Sequence, residues 1–303
     1  MRASSQRTWQ VRLALMVIVG FAAAAACVVT LMLWKAPAAS GQETTPTEPS
    51  FVVLCRFSHW DFVDPIYPSP STPNYQRYQR EFFGNTNRNS IAPYAELLAG
   101  PTNCDDPKDT ARYWIPRVFW TDSSGKITPL TASITRFYYR LGDKSTNVTV
   151  QPHPAGLKID TAPGKNVEWR CMNTGAWSTT APSRCDNLKL VVRIKFPDCS
   201  NGQLDSADHR SHMAYARVPE NGGKARCPAS HPTPVPRLQT NVEFPIPATR
   251  GKPTLSTASG TSGKYSTMHS AFFNAWDQAR LKELVDRCIN AAPFTASKPE
   301  ECL

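Results

Sequence analysis

The sequence predicts a mainly β fold: two packed sheets in a sandwich-like arrangement, long loops and a C-terminal α-helix. Segments rich in aromatic and β-branched residues recur along the chain, and 27 prolines disfavour extended helix. Only residues 274–290 show a clear helical period. We therefore expect one disulfide-stapled β domain with this helix laid against its sheets.

Five segments carry the strand pattern. They are residues 51–54, 113–120, 134–141, 188–196 and 238–246. The clearest is 188–196, where Leu188, Leu190, Val192 and Ile194 alternate with a mostly charged set. A period of two is typical of a strand with one buried face, so these four residues are expected in the core.

The helical segment carries an apolar stripe at a spacing of 3.6 residues. Its members are Leu281, Leu284, Val285, Cys288 and Ile289. Asn274 is expected to cap the helix, with Asp277 at the capping-box position. A second, short helix is expected around residues 93–99.

The N-terminal region predicts a membrane or export element. Residues 1–12, with three arginines, are expected to be a cytoplasmic tail. The uncharged run 13–34 is long enough to cross a bilayer and predicts a transmembrane signal anchor, with a cleaved signal peptide as the alternative. Residues 35–50 resemble a flexible linker. Residues 51–303 are then an extracytoplasmic domain, either membrane-anchored or secreted.

The cysteines of residues 51–303 are even in number, which predicts disulfides in an exported chain. None shows the C-x-x-C spacing of zinc or redox sites. Chain order favours four local bridges. These are Cys55–Cys104, Cys171–Cys185, Cys199–Cys227 and Cys288–Cys302.

The charge balance says little about a specific partner. The net charge is +10, and four of these cations flank the apolar run, so about +6 belongs to the exported part. This excess suits an anionic wall polymer or lipid surface, and equally a basic surface that serves solubility. No long basic run is present, so no nucleic-acid partner is expected. The signatures of serine hydrolases, zincins, nucleotide-binding proteins and dehydrogenases are absent.

Residues 204–215, called here the motif loop, carry the densest set of reactive groups. Asp205, Asp208, His209 and His212 fall within eight residues and are candidate catalytic groups, acting as acid and base. The alternative is a structural network, in which the acids cap loop amides and the histidines bond to backbone carbonyls.

The motif loop resembles the LDSPDHKSH segment of the domain of unknown function family DUF1996, found in secreted bacterial and fungal proteins. Further motifs resemble that family in the same order. They are Asp64-Pro65-Ile66, Phe83-Gly84-Asn85, Tyr113-Trp114-Ile115-Pro116, Phe196-Pro197-Asp198-Cys199, His231-Pro232 and the block from His269 to Asp277. The resemblance implies a location and a fold neighbourhood, but no established reaction.

Two family positions differ in this chain. The H-x-H pair expected before the FGN-type turn reads Tyr78-Gln79-Arg80, and the later H-x-D reads His269-Ser270-Ala271. His269 joins the catalytic candidates through the resemblance. The ligand-binding candidates are Asp64, Tyr78, Arg80, Asn85 and His231. Because several family-type ligands are replaced, we expect no bound metal, and no cofactor is indicated.

The sequence thus predicts an extracytoplasmic cell-envelope domain that binds or degrades a wall polysaccharide. If it is an enzyme, the acid and histidine set indicates a carbohydrate-active hydrolase or lyase. The alternative is a non-catalytic surface module with a structural or interaction role.

Overall fold

The computed structural model of this chain describes residues 48–67, 78–144, 148–257, 260–291 and 302. Within these residues the protein is mainly β, which confirms the predicted fold class. Residues 45–303 form one compact unit. The predicted tail, the apolar run and nearly all of the predicted linker lie outside the described residues. No helix in the described ranges is both long and apolar enough to cross a bilayer.

The described strands form four antiparallel sheets, rather than the two expected. The largest has six strands. In spatial order they are β1 (Ser50–Cys55), β7 (Ile134–Arg140), β15 (Arg237–Pro245), β11 (Lys189–Lys195), β9 (Val167–Cys171) and β10 (Thr174–Ser178). Leu190, Val192 and Ile194 are fully buried, as the alternation predicts. Leu188 is exposed instead, because it precedes β11 with a positive φ of 55° and so leaves the strand pattern.

A five-stranded sheet positions most of the polar side chains considered below. Its order is β2 (Phe57–Asp61), β3 (Arg80–Gly84), β4 (Arg112–Pro116), β18 (Ala271–Phe273) and β8 (Lys158–Asp160). Antiparallel pairing puts the starts of β3 and β18 and the ends of β4 and β8 at one end of this sheet. Arg80, Asp160 and His269 therefore meet there, although they are far apart in the chain.

The two smaller sheets complete the described strands. One consists of β17 (Gly260–Lys264), β16 (Gly251–Thr257), β5 (Val118–Asp122) and β6 (Ile127–Pro129). The other consists of β13 (Met213–Ala214), β12 (Cys199–Ser200) and β14 (Thr233–Pro234). The predicted strand 113–120 is divided at Arg117, so that β4 and β5 belong to different sheets.

A buried polar network joins the six-stranded and five-stranded sheets. The Tyr139 hydroxyl of β7 lies 2.7 Å from the Tyr113 hydroxyl of β4, and Trp276 Nε1 donates to Tyr139 over 3.0 Å. Tyr113 also donates to Asp109 over 2.8 Å. Burial raises the pKa of Asp109 well above its usual value. Since buried polar groups need partners, these bonds fix how the two sheets pack.

Within the described residues the α-helices are α1 (Tyr94–Leu98), as predicted, and α2 (Gln278–Val285), which continues as a π-helical turn over Asp286–Asn290; a 3-10 turn covers Tyr265–Thr267. The predicted apolar stripe is buried. The expected start was wrong: Asp277, not Asn274, is the N-cap, and it accepts from Arg280 N–H over 3.0 Å. Asn274 is buried and donates to the carbonyls of His153 and Pro154.

The cysteines form the four bridges that chain order favours. Four disulfides are typical of proteins in an oxidising, extracellular compartment and are consistent with secretion. The folded part begins before residue 51. Ser50 starts β1, and Glu48 pairs with Arg140 over 2.8 Å.

Candidate functional site

The motif loop connects β12 to β13 and is tied to the end of β8. Asp160 N–H donates to the carbonyl of His209 over 3.0 Å, and Lys158 N–H donates to that of Leu204 over 2.9 Å. His209 Nδ1 lies 2.6 Å from Asp205 Oδ1, an interaction that orients the ring. Partial burial alone would raise the pKa of Asp205. The hydrogen bonds from His209 and Ser206 outweigh it, so the pKa is lowered.

Asp208 organises the loop itself. Its Oδ1 accepts from Ser211 N–H and the Ser206 hydroxyl, both at 2.8 Å, and from Arg210 N–H at 3.1 Å. These bonds, led by the one from Ser211, hold the pKa of Asp208 well below its usual range. Asp208 is thus an ionised turn cap, which matches the structural alternative for this residue.

His212 is fully buried, and its ring is fixed by a hydrogen bond to the backbone. Nε2 donates to the carbonyl of Lys158 over 2.7 Å, and Nδ1 lies 2.9 Å from the Ser206 hydroxyl. Burial lowers the pKa of His212, which favours the neutral ring. The bond from Nε2 holds the motif loop against β8, and Nδ1 is enclosed beside Ser206.

His231 and Asn85 are likewise used by backbone contacts. His231 Nε2 donates to the Ser211 carbonyl over 2.9 Å, which braces the end of the motif loop. Asn85 is fully buried, donates to the carbonyls of Leu97 and Thr110, and accepts from Asn87 N–H. Neither side chain presents a free group to a ligand.

The residue that links the site together is Asp160, at the end of β8. It is only 4% exposed, and its Oδ2 accepts from the Arg210 guanidinium and, over 3.3 Å, from the Tyr67 hydroxyl. Oδ1 is buried without a hydrogen-bond partner among the described residues. Burial raises the pKa of Asp160, although the charges of His269 and Arg210 act in the opposite direction.

Tyr67 lies between Asp160 and the motif loop. Besides its bond to Asp160, its hydroxyl donates to the Asp208 carbonyl over 3.4 Å. Its ring meets the His209 imidazole edge-on, with 4.5 Å between the ring centroids. Burial raises the pKa of Tyr67 above its usual value, so its hydroxyl stays protonated at neutral pH.

Tyr78 and His269 form a second pair at the same end of the sheet. His269 Nδ1 donates to the Thr267 carbonyl over 3.2 Å, which leaves Nε2 to accept from the Tyr78 hydroxyl over 3.3 Å. Burial raises the pKa of Tyr78 to about 12. The Tyr78 hydroxyl is thus bonded to His269.

Arg80 lies beneath this pair. It is 1% exposed, and its Nε donates to Asp64 Oδ2 over 2.8 Å. Its guanidinium also stacks on the Tyr78 ring, 3.9 Å from the centroid, and donates to the Tyr78 carbonyl. The Nε donor of Arg80 is therefore used by Asp64, and its Nη1 donor is used by the carbonyls of Phe62 and Tyr78. This ion pair supports the site from below.

We call Tyr67, Tyr78, Asp160, His209, Arg210 and His269 the Asp160 cluster. Sequence patterns did not single out Asp160, because it belongs to no dense motif and reaches the motif loop only through strand pairing. Arg210 and Tyr67 adjoin recognised motifs, but their side chains were not distinguished from ordinary surface groups. The structure brings His269 close to the Asp160 carboxylate. His209 is linked to Asp160 by its backbone carbonyl and through the Tyr67 ring, whereas His212 and His231 serve the backbone.

The described residues contain one set of three side chains spaced closely enough to hold a metal ion: Cys55, Cys104 and Asp109. Both cysteines are joined in a disulfide, so neither offers a thiolate to a metal. The set is a structural crosslink beside a buried carboxyl group.

A model of the domain of unknown function DUF1996 matches residues 64–276, most of the chain. The protein therefore belongs to the DUF1996 family. No curated protein and no solved structure matches the chain significantly. The matched range includes the motif loop and every member of the Asp160 cluster.

Proposed function

We propose that this protein is an extracytoplasmic, cell-envelope domain that binds a wall polysaccharide through the Asp160 cluster. The observation that carries the proposal is Asp160, a nearly buried carboxyl group with a raised pKa and one oxygen without a partner among the described residues. Perturbed carboxyl groups beside histidines and tyrosines are typical of functional sites.

The cluster also supplies the groups that cleavage of a glycosidic bond requires. Asp160 is suited to act as the acid, because burial favours its protonated form. His209 is suited to act as the base: its Nδ1 bonds to Asp205, and its Nε2 has no partner among the described residues. The backbone of His209 also has a positive φ of 56°. Residues other than glycine adopt this conformation at a cost of about 1–3 kcal/mol. Local strain of this kind often accompanies function.

Tyrosine side chains favour a carbohydrate over a small inorganic ligand. Tyr67 and Tyr78 both keep protonated hydroxyls beside Asp160 and His269. The oxygens of such hydroxyls can still accept from sugar hydroxyls, and aromatic rings can pack on the apolar faces of sugar rings. The four disulfides support an oxidising compartment outside the cytoplasm. The membrane anchor over residues 13–34 is part of the proposal.

The test is a screen of the full-length chain against bacterial and fungal wall polysaccharides, with binding and release of reducing ends measured separately. The matched pair of variants is Asp160→Asn and Asp186→Asn; the Asp186 side chain is almost wholly exposed. We expect at least one polysaccharide to bind the wild type and Asp186→Asn, but not Asp160→Asn. Failure of every polysaccharide to bind would refute the proposal.

A second candidate is a non-catalytic structural or interaction module. It is favoured by His212, His231 and Asn85, whose side chains are all used to hold backbone. In this second candidate, the motif loop and Asp160 stabilise the fold and bind no ligand. The two candidates differ at Asp160: a brace predicts that Asp160→Asn lowers thermal stability with no ligand ever detected. The binding proposal predicts lost affinity in a folded protein.

A further inference from the structure

A cleft of about 510 Å³ lies beside the last residue of β11, and no member of the Asp160 cluster lines it. Its walls include Lys195 at the end of β11, Arg237 at the start of β15, and residues 213–217, which overlap and follow the end of the motif loop. The volume is within the range of about 300–1,000 Å³ that small-molecule sites occupy. The cleft is therefore large enough for a ligand the size of one or two sugar rings.

The charges around the cleft favour an anion. Arg217 is exposed, with no ion pair within the described part of the chain. Lys195 lies 3.2 Å from Glu168, but Glu168 also binds Arg193 at 2.7 Å, so one carboxylate serves two cations. Arg237 binds Asp143 over 2.7 Å, lies 3.5 Å from Glu48, which also binds Arg140, and keeps a buried Nε that has no partner among the described residues. The cleft thus retains a surplus of positive charge, which attracts anions.

The carboxylates of the cleft are not available to bind a cation. Asp198 is buried: its Oδ2 pairs with the Lys144 ammonium, and its Oδ1 accepts from Ala216 N–H over 2.8 Å. Asp143 is held by Arg237. Both oxygens of Asp198 are used by groups of the protein, and one oxygen of the exposed Asp143 is paired with Arg237. This argues against a cationic ligand.

The wall between these charges is apolar. Met213, Ala214, Ala216 and Ala225 line it, together with Tyr215, whose hydroxyl is engaged with the Lys195 carbonyl at 3.0 Å. Small apolar side chains offer a surface for the face of a ring rather than for a bare ion. We propose that this cleft binds an anionic sugar, with Lys195, Arg217 and Arg237 holding its carboxylate or phosphate group.

The experiment measures binding of four probes to the full-length chain by calorimetry: glucuronate, glucose 6-phosphate, inorganic phosphate and glucose. An anionic sugar should bind at least about tenfold more tightly than glucose, because its anionic group gains charge-assisted hydrogen bonds that glucose cannot form. Comparison of glucuronate with glucose 6-phosphate shows whether the cleft prefers a carboxylate or a phosphate group on the sugar. Added salt should weaken binding.

The variant that tests the assignment is Lys195→Gln combined with Arg217→Gln. It should weaken binding of the preferred anionic sugar by about tenfold or more. The matched control is Arg250→Gln with Lys252→Gln, which removes the same two kinds of charge from exposed positions outside the cleft. Binding to the control should equal that of the wild type.

Three results would overturn the proposal: glucose binding as tightly as both anionic sugars, no anionic sugar binding below about 10 mM, or equal affinity for the wild type and the double variant. Inorganic phosphate binding as tightly as glucose 6-phosphate would also count against it, because the apolar wall would then contribute nothing. The Asp160→Asn variant should keep its affinity for the anionic sugar. The outcome therefore does not depend on polysaccharide binding at the Asp160 cluster.

Discussion

His212 Nε2 lies 2.7 Å from the carbonyl oxygen of Lys158, and this bond joins the motif loop to β8. Because Asp160 follows two residues later on the same strand, His212 determines where the loop lies relative to the carboxyl group of the proposed site. Its role is positional, and it acts through the backbone rather than through a ligand.

His212→Ala should therefore destabilise the fold. The substitution leaves a buried carbonyl without its donor and a void where the ring packs, and we expect a loss of about 2 kcal/mol or more in the free energy of unfolding. Chemical denaturation measures it. His231→Ala is the matched control, since that ring is partly exposed, and it should cost about 1 kcal/mol or less. Equal losses in the two variants would contradict this assignment.

Acid should destabilise the protein through His153. The ring is fully buried beside Tyr139 and Phe272, and burial lowers its pKa to about 3. Because the folded-state pKa is below the unfolded value of 6.5, stability is lost as the pH falls from about 6.5 towards 3. A buried neutral replacement, His153→Gln, should show a shallower loss over this range. Parallel pH profiles for the two proteins would refute the prediction.

A rise in pH from acid to about 8 should destabilise the protein through Glu81. This carboxyl group is fully buried, accepts from Ala132 N–H over 2.7 Å, and has its pKa raised by burial to about 8. Because the folded-state pKa exceeds the unfolded value, stability is lost as the pH rises from about 4.5 to 8, by about 1.4 kcal/mol for each pH unit between the two pKa values. Glu81→Gln removes the titration and should flatten the decline. Melting temperatures of the wild type and Glu81→Gln between about pH 5 and 9 measure this difference. The same decline of melting temperature with pH in both proteins would argue against the role of Glu81.

The Cys199–Cys227 disulfide should stabilise the region that carries the motif loop. It closes a loop of 28 residues that contains the motif loop. Loop-closure entropy predicts a loss of about 3–4 kcal/mol when both cysteines are replaced by serine. Cys171→Ser with Cys185→Ser is the comparison, because that bridge closes a 14-residue loop elsewhere and should cost slightly less. Reduction of the wild type should lower its melting temperature, and a Tm insensitive to reductant would contradict the prediction.

The parts of the fold that could be predicted from the sequence are those with local rules. The period of two placed Leu190, Val192 and Ile194 in the core, and chain order paired all eight cysteines. Leu188 departed from the pattern because a positive φ turns the chain immediately before the strand. Local patterns cannot reveal such a turn at a leucine, a residue type that rarely adopts this conformation.

The candidate site was only partly predictable, because it depends on non-local pairing. Asp160 meets the motif loop through the pairing of β8 with β18 and through a backbone bond to His209, and no sequence spacing encodes either contact. The motif loop attracted attention as a dense polar cluster. Its histidines differ in burial: the His209 side chain is 16% exposed, while His212 is fully buried. Burial of this kind becomes visible only when the sheets are assembled.

The most direct test of polysaccharide binding through Asp160 is the affinity of Asp160→Asn for the polysaccharide that the wild type binds most tightly, with Asp186→Asn as the control. Asparagine preserves the shape of the side chain and an acceptor for Arg210, so the variant should fold and melt close to the wild type. If Asp160 binds the polysaccharide, the affinity of this variant falls by about tenfold or more, as expected for loss of the carboxyl contact, while the control binds normally. Wild-type affinity in a correctly folded Asp160→Asn protein would show that Asp160 does not bind the polysaccharide.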